Sequence, residues 1–315
     1  MFKFLVRRLA LGVVTWLAVS VLVFAATEIL PGDVAEAVLG QNAAPDTLAA
    51  LRKQLGLDTP APLRYLHWLG NIATGDLGSS LASQRSVAET IGQHLPKTIW
   101  LGAATAVISV PIAIILGLIA AMFPGSLYDR TITAATLCLI SGPEFLIATL
   151  LVMFFAVWLQ WLPAVAFMAA EPSFLQLLQA LTLPVLTLSA AIIAPMTRMT
   201  RSAVLNVLGS PAIEMAILKG VPRYRIILRH ALPNALAPVF SVIAISLAYL
   251  VSGVVVVEVV FAYPGMAKLM VDSVSYRDIP MVQACAMIFC TVYVGLNLLA
   301  DIFSVALNPR LRHPR

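Results

Sequence analysis

The chain has 315 residues, 60% of them hydrophobic and 11% charged, with a mean hydropathy of +0.94 and a net charge of +5. A soluble domain of this length is roughly a quarter charged, so the composition excludes a water-soluble globular enzyme and describes a polytopic membrane protein. The positive balance is read as membrane topology, and nucleic-acid binding is set aside because the bases are not gathered on a polar domain.

A membrane helix needs about 20 mostly apolar residues, and six segments satisfy that. The first covers residues 9–30, behind Lys3, Arg7 and Arg8. It is too long for a signal-peptide core and no clear A-x-A site ends it, so an uncleaved signal-anchor is expected. Residues 31–97 form the one substantial polar segment and predict three short helices. "PDTLAALRKQLG" places Leu48, Leu51 and Leu55 on one face and stops at Gly56. "TPAPLRYLHWLGNIATG" offers Thr59 as N-cap and Pro60 at the first helical position, and stops at Gly75. "SVAETIGQHLP" spaces Ser86 and Glu89 as a capping box. So small a segment builds little core alone and is expected to pack on the membrane domain or meet an external partner. His67 and His94 lie in it and read as ordinary surface histidines rather than metal ligands.

The second span covers about 99–123, and the third about 135–160, broken at Pro143 in "SGPEF". The fourth covers about 178–197, the fifth 236–260 and the sixth 281–305, with a tail at 306–315. Lys and Arg fix orientation. If both termini share a side, that side carries 13 of the 20 bases, including Arg130, Arg198, Arg201, Lys219, Arg223, Arg225 and Arg229. Both termini and the loop at 209–235 are therefore expected in the cytoplasm.

The three cysteines, Cys138, Cys285 and Cys290, sit in apolar runs. Their odd number and spacing suit neither a disulfide framework nor a zinc site, so they read as small buried hydrophobes and no metal is expected. No phosphate-binding G-x-x-x-x-G-K-[ST], HExxH or GxSxG occurs. Among acids near the spans, Glu28, Glu258 and Asp301 read as interfacial charges near span ends. Glu144 follows Pro143 inside a span, and an intramembrane acid marks a functional site by default. It can line a transport pathway, or simply cap the restarted helix.

The loop "GSPAIEMAILKGVPRYRIILRHALPNAL" between the fourth and fifth spans is well delimited. Ser210 can cap a helix whose first residue is Pro211; Gly220 ends it near Lys219 and Pro222 forbids its continuation. A helix this short is marginal alone and has to be held by other contacts. Ala216 and Gly220, four apart, form a small-residue face. A second helix from Pro222 sets Tyr224, Ile227, Leu228, Ala231 and Leu232 on one side and Arg225 and Arg229 on the other, and Pro233 redirects the chain. The element is either a basic anchor at lipid headgroups or a docking knob for a cytoplasmic partner.

Glu214-Met215-Ala216, three residues, then Gly220 and later Ala231-Leu232-Pro233 resemble the EAA loop of ABC-importer permeases, with Met215 where that pattern has alanine. The amino-terminal span with Pro31-Gly32-Asp33 is similar to the dipeptide/oligopeptide/nickel permeases, as is the polar segment with Gly75-Asp76-Leu77-Gly78. So are "VVVVEVVFAYPGMAKLMVDSVSYRDIPMVQ" and the tail "LNPRLR". The resemblance covers nearly the whole chain. It implies an all-α type I importer fold with six transmembrane helices in the bacterial inner membrane. It further implies a second homologous permease subunit paired around a central pathway, one or two ATPase subunits holding ATP and magnesium, and a periplasmic binding protein that delivers the solute. No cofactor and no catalysis are expected on this chain. Ser210, Pro211, Glu214, Ala216, Lys219 and Gly220 are expected to dock an ATPase, and Pro264, Gly265, Arg277 and Asp278 to meet the binding protein. Family members carry dipeptides, oligopeptides, glutathione, opines or nickel chelates. An ion-coupled secondary transporter with Glu144 as its carrier is the alternative.

Overall fold

The computed structural model describes residues 2–29, 44, 46–47, 49, 59–166, 173–226, 229 and 232–307. These form α1 (Phe2–Ile29), α2 (Ala61–Thr74), α3 (Val87–Met122), α4 (Leu127–Ser141), α5 (Glu144–Leu151), α6 (Phe174–Leu208), α7 (Pro211–Leu218), α8 (Arg223–Ile226), α9 (Leu232–Val260), α10 (Met266–Ser275) and α11 (Ile279–Leu307). The fold is all-helical, as expected. Among the described residues, five helices are long and apolar enough to cross a membrane, and the pair Leu127–Ser141 with Glu144–Trp158, bent by 105°, makes a sixth if it is one span. Pro31-Gly32-Asp33, Ile227, Leu228, Ala231, the tail from residue 308 and, apart from residues 46, 47 and 49, the predicted helix at 45–56 lie outside the described residues.

The chain divides into two compact units, one of Met1–Arg8, Ile99–Tyr263 and Gly295–Arg315, the other of Leu9–Thr98 and Pro264–Val294. In the first, α6 packs chiefly on α9, α4 and α5. It starts with a full capping box: the Gln176 amide donates to Ser173 Oγ at 3.3 Å and the Ser173 amide to Gln176 Oε1 at 3.0 Å. Lipid tails are as apolar as leucine, so close packing and interhelical hydrogen bonds hold such helices together, at about 1 kcal/mol per bond. Small residues permit both here. Ser109 donates to Ser189 at 2.8 Å, and a Cβ on Gly117 would lie 2.8 Å from the Thr197 carbonyl oxygen.

In the second unit, Tyr65 and Trp68 of α2 pack their rings on Phe24 of α1 at centroid distances of 5.5 and 5.8 Å. Tyr65 shares a 2.9 Å hydrogen bond with Ser20, and Arg64 pairs with Glu28. Helix α2 ends in a Schellman motif at Gly75 (φ +85°), where the Asp76 amide reaches Asn71 O at 2.9 Å. The core of this unit joins Val87 and Ile91 of α3 to Met266 of α10 and to Met281, Ala284 and Cys285 of α11. Only 6% of the apolar stretch of α1 is buried, as befits a helix facing lipid.

Several boundaries differ from the sequence reading. The helix begun at Ser86 does not stop at Pro96 but continues as α3, because Val87, Ile91 and Leu95 sit on one core cluster and hold the proline in register. The first residue of α2 is Ala61, with Pro60 in the cap position and no side-chain cap, so Thr59 does not cap it. At the third span the chain turns sharply because Gly142 and Pro143 are both extended, and a π-helical stretch, Val152–Trp158, ends it. Helix α6 outruns the predicted 178–197 at both ends, since apolarity marks only the part of a helix in hydrocarbon. Pro233 lies in the first turn of α9, where a missing N–H costs nothing. Within the predicted outer loop, α10 had gone unread, although Met266, Leu269, Met270 and Ser273 follow helical spacing and Lys268 pairs with Asp272 at 2.5 Å.

Candidate functional site

Helix α7 is shorter than the average helix and bounded at both ends. Ser210 holds the extended N-cap conformation, and its carbonyl accepts the Ile213 and Glu214 amides, but its hydroxyl makes no capping bond. The far end is a complete Schellman motif. Gly220 takes φ +73°, its amide donates to Ile217 O at 2.9 Å, and the Val221 amide donates to Ala216 O at 3.2 Å. Ala216 and Val221 both pack on a cluster of Ala121, Val204, Ile213, Ile226 and Val239.

That packing decides which face of α7 is presented. Ile213 is buried and Ala216 is half-buried against the chain's own core. The expected docking face built on Ala216 and Gly220 is thus divided: Ala216 turns inward, and Glu214, Lys219 and Gly220 stay exposed. The sequence reading missed what shares the outer side. Met215, Ile217 and Leu218 are 55%, 58% and 80% exposed. Their signal was three large apolar side chains in a loop already assigned to the cytoplasm. In the next turn the expected apolar side led by Tyr224 is not the inward one: Tyr224 is exposed and Ile226, which the spacing left out, is buried.

Elsewhere in the same unit, Arg201 of α6 grips Asp129 of α4 with two hydrogen bonds, at 2.6 and 2.7 Å. The Gly125 amide adds a third to the same carboxylate, at 2.8 Å. The partners are 72 residues apart in sequence, so no local pattern announces them.

Glu144 opens α5 and lines a cavity of about 300 Å³ with residues of α6 and α9, among them Ile192, Met199, Ser246, Tyr249 and Gly253. Its carboxylate lies against Gly253, whose Cβ, if present, would meet the two oxygens at 3.2 and 3.3 Å. The Glu144 side chain makes no hydrogen bond or ion pair among the described residues, and it sits in the first turn of its helix, where a negative charge is favoured.

Of the other acids, Glu258 alone is placed differently than expected, while Glu28 and Asp301 keep their positions near span ends. Glu258 is fully buried rather than interfacial, and with burial itself it pushes the Tyr263 phenol well above its ordinary range. Glu28 pairs with Arg64, and Asp301 with Arg8 at 3.1 Å. Of the four expected outer contacts, Asp278 and Gly265 are buried, while Arg277 and Pro264 are half-buried. The Asp278 carboxylate accepts hydrogen bonds from the Ser80 hydroxyl and from the Leu81 amide at 3.0 Å, so it ties down the loop before α3 rather than facing outward. Tyr276, 72% exposed, is what that corner presents.

Comparison with known proteins gives the family. A family described as the binding-protein-dependent transport system inner membrane component matches residues 113–313, and its N-terminal counterpart matches 1–102. A probable peptide ABC transporter permease of Sinorhizobium fredii is 33% identical over 98% of this chain and 99% of its own length. The glutathione transport system permease GsiC of Escherichia coli K12 is 36% identical over 99% of this chain and all of its own. A structure of the MetNI methionine ABC transporter, described as inward facing, aligns with a TM-score of 0.54 at 17% identity, covering 70% of this chain and 96% of that one. That likeness concerns the fold alone. That these homologues are ABC transporter permeases supports the importer reading over the ion-coupled alternative. The chain belongs to the binding-protein-dependent inner membrane components and is the permease subunit of an ABC importer.

Proposed function

We propose that this chain forms half of a translocation pathway for a peptide-like solute, driven by ATPase subunits that dock on α7. The observation that carries the reading is α7 itself. It is limited to eight residues, Pro211–Leu218, anchored inward by Ile213, and presents apolar Met215, Ile217 and Leu218 where a soluble surface favours polar groups. A groove on an ATPase gives those side chains cover, with Ser210, Pro211, Glu214, Lys219 and Gly220 around them. Ala216 contributes by seating the helix.

In this reading one or two ATPase subunits bind ATP and magnesium and their closure moves α7, while a second, homologous permease completes the pathway, which Glu144 lines. A periplasmic binding protein meets the outer face near Pro264, Gly265 and Arg277, and Asp278 shapes that face from within. Both termini are cytoplasmic, in line with the Lys and Arg distribution, and the protein resides in the bacterial inner membrane with lipid around it. The named relatives carry peptides or glutathione, which supports a cargo of that kind.

The test is purification from native membranes followed by reconstitution. The reading expects a second permease and one or two ATPases to co-purify, and uptake of di- or tripeptides to require ATP and the binding protein. A lone chain that transports without an ATPase overturns it.

A further inference from the structure

The cavity beside Glu144 combines features that point to one ligand chemistry. It lies within a single compact unit, between α5, α6 and α9. Its walls are largely apolar, supplied by Leu188, Ile192, Met199 and Ile245. Two polar groups interrupt them. The Glu144 carboxylate is half-buried, and the Ser246 side chain is 7% exposed; neither has a hydrogen-bond partner among the described residues. A serine within a helix usually returns its hydroxyl to the preceding turn, and Ser246 does not. Tyr249 adds an aromatic ring to the same wall, and such rings attract cations.

A carboxylate in these surroundings calls for a cation, because an unpaired charge in an apolar membrane domain is expensive. At about 300 Å³ the cavity is at the small end for a ligand site. It takes one amino-acid-sized group rather than a whole oligopeptide. We infer that the cavity receives the protonated amine of the cargo together with its neighbouring apolar side chain. The ammonium sits on Glu144 and Ser246, and the side chain lies against Ile192 and Met199. Gly253 leaves room for the carboxylate, since a Cβ there would come within 3.2 and 3.3 Å of its oxygens. The site thus selects solutes with a free primary amine beside an apolar group, such as a peptide amino terminus. This deepens the importer reading and rests on it for the word cargo.

The assembled transporter in nanodiscs is titrated with benzylammonium and, separately, with isosteric benzyl alcohol, with binding followed by saturation-transfer NMR. The inference expects benzylammonium to bind about tenfold better than the alcohol, and Glu144→Gln to remove that preference. Ser246→Ala, a smaller change, reduces it in part and serves if Glu144→Gln does not fold. Equal binding of the two probes, or an unchanged preference in Glu144→Gln, overturns the inference. So does loss of the second permease from the purified Glu144→Gln complex with ammonium binding intact, which would make Glu144 an intersubunit contact. A parallel assay measures ATP-dependent uptake of alanylalanine and trialanine by the wild-type complex. Absence of uptake sinks the importer reading for peptides while leaving the probe result to stand or fall by itself.

Discussion

Arg201 meets Asp129 side-on, Nε to Oδ1 at 2.6 Å and Nη2 to Oδ2 at 2.7 Å, in the two-pronged geometry that a lysine cannot reproduce. The carboxylate side chain is 6% exposed and the guanidinium 30%. Removing one member of a buried pair costs about 3–5 kcal/mol, and partial exposure of Arg201 lowers that to about 1–3 kcal/mol. Asp129→Ala and Arg201→Met are therefore each expected to lower the thermal unfolding temperature in detergent, and the double variant to lose clearly less than their sum. Additive losses would show that the two residues act separately.

Gly117 of α3 faces α6 at Thr197 and Thr200. A methyl there would stand 2.8 Å from both the Thr197 carbonyl oxygen and Thr200 Cβ, and neither can swing away as a flexible side-chain tip would. Gly117→Ala is expected to cost about 1–3 kcal/mol through overpacking. Gly92 and Gly295 have open space around the same position, so alanine is expected to be tolerated at both. Thermal unfolding of the three variants checks the contrast, and equal behaviour of all three would refute it.

The helix ends set by local chemistry were legible before any coordinates. Gly220 and Gly75 stop their helices as their sequence positions imply, and Pro143 marks a true break. What was not legible depends on partners far along the chain. Hydropathy ended the fourth span before Arg198, yet the helix continues because Asp129 neutralises Arg201 from another element. Asp278 looked like a surface charge until Ser80, 198 residues away, covered it. The inward face of α7 likewise follows from Ala121, Val204 and Val239, all outside the loop.

Asp278 and Ser80 offer a measurable consequence of such a distant contact. Asp278→Ala removes the acceptor for the Ser80 hydroxyl and for the Leu81 amide, and leaves both donors in a buried corner. Hydrogen exchange is expected to quicken at residues 80–86 while α6 and α9 keep their protection. Unchanged exchange in that loop would mean that the bridge at Ser79 and Ser86 holds it without the carboxylate.

Gly220 is expected to be intolerant for a conformational reason, since no atom lies within 4 Å of its missing Cβ but its φ is +73°. An L-residue in the left-handed region costs about 1–2 kcal/mol, with asparagine the least penalised. Gly220→Asn is expected to keep more transport than Gly220→Ala. Gly220→Glu adds a bulky charge at the docking edge and is expected to leave the chain inserted while uncoupling ATP hydrolysis from transport. Normal uptake by Gly220→Glu would remove α7 from the coupling route.

The two sides of α7 are expected to separate stability from coupling. Ile213 is 2% exposed and sits on Ala121, Val204 and Ile226, so Ile213→Ala leaves a cavity and costs about 2–5 kcal/mol. Leu218 is 80% exposed, and a surface change of this kind moves stability by no more than about 0.5 kcal/mol. If Leu218 enters an ATPase groove, Leu218→Asp carries a charge into it and is expected to weaken ATPase association about tenfold or more. Ile217→Asp is expected to behave in the same way. Unfolding temperature and co-purified ATPase, measured on the same preparations, distinguish the sides: Ile213→Ala lowers the first before the second, and Leu218→Asp lowers the second alone. A Leu218→Asp protein that retains its ATPase in full would place the docking contacts elsewhere on the loop.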